Sequence, residues 1–289
     1  MDSFKYYVHK FFRGLVVFFE IVLVVVAITV LSVSFAISKK TPSNDRTWVP
    51  SQKILPIAEF EDNGKVMIRN VRNASYKTVD DYTVNYYDRE YDPSKLKKVW
   101  FILSPFKGTL GVGHAFFSFE FDDNSFVSIS VEVRKEKSEV YSIVDGMLRD
   151  FELIYVVADE RDVIRLRTDQ YKDNVYLYPT TLDATTGEQL FRDMLMRGNG
   201  IAKVPEFYNT VTDNCITNLV YHINRTSPRK IPWIDYRVLF PANLDEYLYQ
   251  RGFIDTNLPF SQIREKYLIN PLVKKYADDP EFSRKIRDL

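Results

Sequence analysis

The sequence is poor in the residues that build disulfides and metal centres. It has a single cysteine, Cys215, and only three histidines among 289 residues. One cysteine excludes a disulfide within the chain, and with so few histidines beside it no convincing zinc site can form. We therefore expect neither a metal nor a cofactor.

The chain also lacks an excess of charge of either sign. Lysine and arginine together number 39, as do aspartate and glutamate, so the formal net charge is zero. Proteins that bind nucleic acid through its phosphates carry a basic surface, so we expect no nucleic-acid partner. No repeat, low-complexity tract or phosphate-binding glycine loop is present. The hydrophobic content of 45% is ample for a substantial core.

One long apolar run is present near the N-terminus, at residues 14–37. At a rise of about 1.5 Å per residue it can cross a hydrocarbon layer of about 30 Å, so we predict a transmembrane helix after a short basic head at 1–13. A cleaved signal peptide is the alternative, because Ser34 and Ala36 supply small residues for a cut. The run is longer than the roughly 7–15 residues of a secretory apolar region, which favours a retained anchor.

The orientation of this helix is predicted from weak signals. Three basic residues precede the run and three follow it, so the positive-inside rule hardly discriminates. An N-terminal anchor with a short basic head usually leaves the following domain outside the cytoplasm, and a chain without disulfides is compatible with that compartment. We therefore expect residues 38–289 in a periplasm-like space. The flanking residues are Lys5, Lys10, Arg13, Lys39, Lys40 and Arg46.

After the apolar run the sequence predicts a polar, proline-containing tether at 38–56 and one globular domain at 57–289. Alternating apolar patterns predict strands in the first half of the domain, and helical patterns follow. Together they indicate an α+β domain with an antiparallel sheet and clustered helices. The predicted strands are 66–68, 97–103, 111–121, 126–134, 151–157 and 162–167, and the predicted helices are 186–197, 215–222 and 243–251.

Cys215 is the candidate nucleophile. It follows Asp213 and Asn214, which favour a helix N-cap, and precedes an apolar stretch, so the thiol is predicted at a helix N-terminus. Free backbone N–H groups and the helix dipole at such a position stabilise a thiolate and lower the pKa of a cysteine. The alternative is a small buried hydrophobic residue without a chemical role.

A thiol nucleophile needs a base, and the histidines can be tested by elimination. His9 precedes the apolar run. His222 lies about 10 Å along the helix that begins at Cys215, beyond hydrogen-bond reach, and is predicted on the helix surface. His114 remains, on a predicted strand entered from a glycine-containing turn.

The predicted hairpin provides a carboxylate for His114. Residues 122–124 have turn chemistry, and pairing phenylalanine with aliphatic residues requires Phe117 to face Ile129. Continuing this register brings His114 opposite Glu132. Cysteine, histidine and glutamate then form the nucleophile, base and orienting group that acyl transfer by a thiol needs.

Other interpretations of these residues remain open. Glu120, Asp159 and Glu160 are rival orienting carboxylates, although the first lies far along the hairpin and the other two fall in a charged turn. His114 and Glu132 are alternatively a solvated pair on the outer face of the hairpin.

The motifs in this part of the chain resemble the bacterial Lnb-type periplasmic domain. The resemblance extends from about Trp48 to the C-terminus, and several separate motifs occur in one order. The motifs lie at 113–119, 130–136, 159–162, 207–210, 213–218, 252–255 and 282–287.

The resemblance implies a papain-like fold with histidine before cysteine, as in circularly permuted members of that superfamily. It also implies a lipoprotein N-acyltransferase of the bacterial inner membrane, with its domain in the periplasm. A phospholipid would donate the acyl group to a lipoprotein. Cys215 would be the nucleophile, His114 the base and Glu132 the orienting acid. Candidates for oxyanion or substrate positioning are Asn214, Tyr208 and Arg134.

One departure from the transferase relatives affects the expected activity. Those relatives carry further membrane helices after the domain, whereas this sequence ends at Leu289. A membrane-protein partner is therefore an expected source of the missing helices. A thiol hydrolase acting on a lipid ester or a cell-wall amide needs the same residues, and a non-catalytic anchored binding module is the third reading.

Overall fold

The computed structural model describes residues 2–233 and 235–289. Met1, part of the predicted head, lies outside the described residues. The chain divides into two compact units, Met1–Pro42 and Ser43–Leu289. Helix α1 (Asp2–Ser38) makes up nearly all of the first unit and includes residues 2–13 of the predicted head. Its stretch Tyr6–Ser38 is long and apolar enough to cross a membrane.

The second unit contains an eight-stranded sheet within the described residues. The spatial order is β1-β2-β7-β6-β5-β4-β8, with β3 also paired to β2. All pairs are antiparallel except β2 with β7, which is parallel. The sequence predicted an antiparallel sheet, whereas the observed sheet is mixed. The strands are β1 (Ile57–Phe60), β2 (Val66–Tyr76), β3 (Tyr82–Tyr91), β4 (Leu96–Pro105), β5 (Gly113–Phe121), β6 (Phe126–Arg134), β7 (Glu152–Ala158) and β8 (Tyr176–Pro179).

Helices cover both faces of the sheet, and a hydrophobic cluster fills each side. The larger cluster contains residues of α4, α5, α7 and α8, and the smaller one residues of α3, α9 and α10. Short 3₁₀ turns occur at Pro50–Gln52, Pro93–Lys95 and Pro241–Asn243. The helices of this unit are α2 (Ile143–Met147), α3 (Glu160–Arg165) continuing as a π-helix (Leu166–Tyr171), α4 (Ala184–Lys203), α5 (Cys215–Thr226), α6 (Tyr236–Leu239), α7 (Leu244–Gln250), α8 (Phe260–Tyr267), α9 (Asn270–Lys275) and α10 (Phe282–Lys285).

The β5–β6 hairpin has the predicted register, with Phe117 facing Ile129. The pairing stops at that point and does not reach His114. Beyond it β5 stays paired with β4 up to Gly113, whereas β6 stays paired with β7 up to Arg134. The two strands therefore separate, and the sheet has a gap between their ends.

The strand predicted at 162–167 is wrong, because this segment is helical. Asp162 is fully buried there and accepts hydrogen bonds from the Arg72 guanidinium and the Ala74 N–H. A buried carboxylate with such partners anchors the helix to β2, and the alternation of apolar residues in the sequence did not reveal it.

The compact unit begins at Ser43, inside the segment predicted to be a tether. The Ser43 N–H donates to the carboxylate of Glu152. The Trp48 ring is buried under the guanidinium of Arg134, at 4.0 Å. Much of the predicted tether is therefore part of the folded domain.

Candidate active site

Cys215 is the first residue of α5, and a capping box fixes its place. Oδ1 of Asn214 accepts the N–H groups of Ile216 at 2.8 Å and Thr217 at 3.0 Å. The Thr217 hydroxyl in turn accepts the Asn214 N–H at 2.8 Å. These reciprocal bonds stop the helix from starting earlier or later, so the thiol stands at the helix N-terminus as predicted.

The sulfur of Cys215 lies at the gap between β5 and β6. The N–H of Ala115, at a point where β5 is no longer paired with β6, is near enough to the thiol to favour its charged form, and the N–H of Ile216 acts in the same direction. The backbone N–H of Cys215 itself makes no hydrogen bond within residues 2–233 and 235–289. One unpaired donor therefore remains beside the thiol.

The pKa of the Cys215 thiol is shifted in the direction opposite to the prediction. Burial raises this pKa to about 11, although the Ala115 N–H, the Arg167 charge and the Ile216 N–H all act to lower it. The helix N-terminus thus has the expected effect, but desolvation outweighs it. The resting group is a neutral thiol, which needs a base to become a nucleophile.

His114 lies near the start of β5, with 5% of its surface exposed. Burial, followed by the charge of Arg167, lowers the pKa of its imidazole well below the usual range. The preceding residue, Gly113, lets β4 approach closely, since a Cβ there would lie 3.0 Å from Cα of Pro105. His114 is therefore a neutral imidazole, and it lies on a strand that packs closely against β4.

A serine joins His114 to Glu132. Nε2 of His114 lies 2.7 Å from Oγ of Ser130, which donates its proton to Oε1 of Glu132 at 2.9 Å. The direct distance from Nε2 to Oε1 is 3.8 Å. Since the hydroxyl proton goes to Glu132, Oγ must accept from Nε2–H. In a neutral imidazole this assignment leaves Nδ1 as the basic nitrogen.

The thiol and the imidazole approach the gap from opposite faces of the sheet. Cys215 packs, like Ala115, against the larger hydrophobic cluster. The His114 ring packs on Phe116, at 5.6 Å between centroids, and Phe116 belongs to the smaller cluster. No hydrogen bond joins Sγ to the imidazole in the part of the chain that the structure describes.

The rival carboxylates have other partners. Glu120 accepts from the Trp100 indole at 2.8 Å. Asp159 caps α3. Glu160 is fully buried and paired with Arg287. Among the weighed carboxylates, the one predicted from the hairpin register is therefore the one that lies against the imidazole.

A family model described as the Lnb N-terminal periplasmic domain matches residues 82–242. The match covers more than half of the 289 residues. The chain belongs to this family. No curated protein and no solved structure matches it. The matched segment of the Lnb domain is narrower than the predicted span from Trp48 to the C-terminus, but it contains Cys215, His114 and Glu132. Together with α1, membership of this family fits a membrane-anchored periplasmic protein.

Arg134, a candidate for substrate positioning, has a structural role in the Lnb domain. It is 1% exposed. Its guanidinium donates to the carbonyl oxygens of Gln52 and Lys53 and to Oδ1 of Asn44. These bonds hold the N-terminal segment of the domain, so the prediction of a substrate contact from Arg134 is corrected.

Asn214 and Tyr208 differ in whether their side chains can still donate a hydrogen bond to a substrate. Asn214 is used by the helix cap, and its Nδ2 donates to the Thr210 carbonyl at 2.7 Å. Tyr208 is buried beside Cys215, and burial followed by the Cys215 charge raises the pKa of its hydroxyl. Tyr208 is thus a protonated donor near the thiol, whereas Asn214 positions the helix.

Two residues of the site were missed by the sequence analysis. Ser130 had a readable signal, because it lies two residues before Glu132 and hence on the same face of β6. Arg167 had none, because its segment was predicted as a strand.

The prediction of an exposed His222 is wrong. This residue is fully buried, with Nδ1 2.7 Å from Asp193 and Nε2 2.7 Å from the Tyr155 hydroxyl. Both partners come from other elements of the fold, which the helical spacing of His222 did not indicate.

The described residues contain no group of three or more His, Cys, Asp or Glu side chains arranged to hold a metal ion. An apolar pocket lies against α5 in the Lnb domain, and its lining includes Ile216, Val220 and Phe117. The helix that presents the thiol therefore also borders an apolar space.

Proposed function

We propose that this Lnb domain is a membrane-anchored periplasmic cysteine acyltransferase. It would carry an acyl group from a phospholipid, through a thioester on Cys215, to the amino group of a lipoprotein. The observation that supports it is the gap between β5 and β6, where Cys215 at the start of α5 lies on one face of the sheet and His114, held by Ser130 and Glu132, lies on the other. The permuted papain-like relation of the fold is part of this proposal, supported by a base on a strand that precedes the nucleophile helix in sequence.

In the first step, Nδ1 of His114 takes the thiol proton as Sγ attacks the ester carbonyl of the lipid. The C–O bond then breaks, and the imidazolium returns the proton to the departing lysolipid alcohol, leaving a thioester. The Ser130–Glu132 relay stabilises the imidazolium. Because thiol and imidazole are not hydrogen-bonded in the resting site, the transfer needs one water or a small movement on substrate binding, as is common before the substrate is present.

The oxyanion of this step needs donors close to Sγ. The unpaired N–H of Cys215 is the first, and the Tyr208 hydroxyl, protonated and near the thiol, is the second. Donors fixed in place before the reaction stabilise developing charge without reorganising.

In the second step, the amino group of the lipoprotein attacks the thioester. His114 takes a proton from the attacking nitrogen, the C–S bond breaks, and the thiolate recovers the proton. The apolar lining of the pocket against α5 matches the chemistry of an acyl chain carried by Cys215. Water in place of the amine would make the same site a hydrolase, so the product decides between the two activities.

We would incubate the purified full chain in detergent with a phospholipid and a peptide that carries a lipid-modified N-terminal cysteine. Liquid chromatography with mass spectrometry then separates lysolipid, N-acylated peptide and free fatty acid. We expect N-acylated peptide with the wild type and none with Cys215→Ala. Free fatty acid as the only acyl product would identify a hydrolase. No lysolipid at all from the wild type would contradict the proposal.

A further inference from the structure

Arg167 lies near the site and has no acidic partner among the described residues. It lies in the π-helix, and in the described part of the chain its guanidinium forms neither an ion pair nor a hydrogen bond. Arg165, two residues earlier, is by contrast paired with Asp169 at 2.8 Å. The guanidinium is half-buried, and its five N–H donors have no acceptor among the described residues, so they are open to an anion from solution. Short π-helical turns are frequent at functional sites.

Two aromatic rings hold the guanidinium in place. Its central carbon lies 5.5 Å from the Phe106 ring centroid and 5.1 Å from that of Tyr171. The Phe106 N–H donates to the carbonyl of Val112, two residues before His114. The rings thus fix the side chain next to the strand that presents the base.

The charge of Arg167 acts on both groups that would carry the chemistry. After burial, it is the main influence that lowers the pKa of His114. It also opposes the larger effect of burial on the pKa of Cys215. A single cation therefore influences both the thiol and the imidazole.

The proposed donor carries a group of matching charge and shape. A phospholipid has a phosphate a few bonds from each acyl ester, and a planar guanidinium binds phosphate through two parallel hydrogen bonds. Cys215 cannot itself be the missing anion in the resting site, because its thiol is protonated at neutral pH.

We propose that Arg167 binds the phosphate of the acyl donor and so places the ester carbonyl at Cys215. This inference rests on the proposed acyl transfer for the identity of the donor. The presence of an anion site beside the thiol does not depend on that activity and is testable without it.

The first test compares two alkylating reagents on the full chain in neutral detergent at low ionic strength. Iodoacetate is an anion and iodoacetamide is neutral, and both react with the same thiolate at Cys215. The ratio of their rate constants therefore cancels any change in the thiol pKa and reports anion binding beside Sγ. The variants are Arg167→Gln, Arg167→Lys and, as a matched control on the same helical segment, Arg165→Gln. Thermal unfolding confirms that each variant is folded.

We expect the iodoacetate to iodoacetamide ratio to fall at least about fivefold in Arg167→Gln, an effect of the size that one nearby charge produces. Arg167→Lys should retain part of the ratio and Arg165→Gln all of it. Glycerol phosphate should slow alkylation by iodoacetamide in the wild type and not in Arg167→Gln. An unchanged ratio in Arg167→Gln would overturn the anion site, whether or not the protein transfers acyl groups.

The second test identifies the source of the anion. Acylation of Cys215 by a phospholipid is compared with acylation by a diacylglycerol, which has the same esters and no phosphate. We expect the wild type to acylate from the phospholipid at least about tenfold faster than from the diacylglycerol, and Arg167→Gln to bring the ratio of the two rates close to one. Because both donors use the same thiol and imidazole, this ratio cancels the effect of the Arg167 charge on their pKa values. Equal loss with both donors would overturn phosphate recognition. No acylation by either donor, with the alkylation ratio still dependent on Arg167, would refute the donor assignment and the acyl transfer while leaving an anion site.

Discussion

Ser130 is the residue on which the orientation of His114 depends, because the imidazole reaches Glu132 only through its hydroxyl. We expect Ser130→Ala to lower kcat about 10-fold to 100-fold with little change in KM, since the base loses the partner that fixes its tautomer. Ser130→Thr keeps a hydroxyl and should recover part of the rate. The measurement is steady-state kinetics of lysolipid release.

Ser128 supplies the control for this variant. It lies two residues earlier on β6 and its buried hydroxyl has no partner among the described residues. Ser128→Ala should therefore leave kcat unchanged and leave the melting temperature unchanged or raised. Equal kinetic losses in both serine variants would show that the effect of Ser130→Ala is structural and contradict the relay.

The raised pKa of Cys215 has a direct consequence for its reactivity. Because the thiolate is the reactive form, alkylation by iodoacetamide should keep rising with pH toward about 11. In denaturant the same thiol should level off near its ordinary pKa of about 8.5. A rate for the folded chain that is already constant below pH 7 would indicate a thiolate and imidazolium pair and contradict the neutral resting site.

For single residues, the sequence indicated Cys215, His114 and Glu132 but not the groups that surround them. Cys215 and His114 could be found by elimination because the chain has so few cysteines and histidines. The pKa of the thiol could not be predicted in this way, because the helix N-terminus is a local feature whereas burial is produced by the whole fold. Arg167 reaches the site from a distant segment for the same reason.

Helix α5 begins at Cys215, and its first turn depends on Asn214. We expect Asn214→Ala to lower the free energy of unfolding by about 1–2 kcal/mol, since two backbone N–H groups lose their acceptor. It should also change the alkylation rate of Cys215, because the helix start is no longer fixed. Urea unfolding measures the first effect and iodoacetamide kinetics the second.

Asp183 caps α4 through the Thr186 N–H and provides the comparison. Asp183→Ala should cost a similar amount of stability and leave the alkylation rate of Cys215 unchanged. If both variants changed that rate alike, the effect of Asn214 would reflect general loosening and not the position of the nucleophile.

The elements themselves were predictable where the pattern was strong and local. The β5–β6 register follows from the alternation around Phe117 and Ile129 and is confirmed. The separation of the strands beyond that pair was not predictable, since it depends on β4 and β7 keeping their partners. The segment 162–167 alternates in polarity like a strand, but a buried ion pair with Arg72 accompanies its helical form.

The whole molecule combines an apolar helix with an α+β domain, and this combination could be read from the sequence. The strand order could not, because it joins residues far apart in the chain, and β1, β3 and β8 were missed altogether. The helices on both faces of the sheet likewise follow from tertiary packing, which no local pattern shows.

The anchor gives a prediction for the full chain in a bacterial cell. If Tyr6–Ser38 spans the membrane, the protein should remain in the membrane fraction after a carbonate wash and be released by detergent. Its intact mass should still include the apolar helix. A soluble protein whose mass begins after Ala36 would identify a cleaved signal peptide and contradict a retained anchor.

The central claim is that Cys215 forms a thioester with an acyl group from a phospholipid. The most direct test is the intact mass of the purified full chain after incubation with phospholipid in detergent, for the wild type and for Cys215→Ala. We expect an adduct of acyl mass on the wild type that hydroxylamine removes and that Cys215→Ala lacks. No adduct on a wild-type protein that releases lysolipid, or an equal adduct on Cys215→Ala, would contradict the claim.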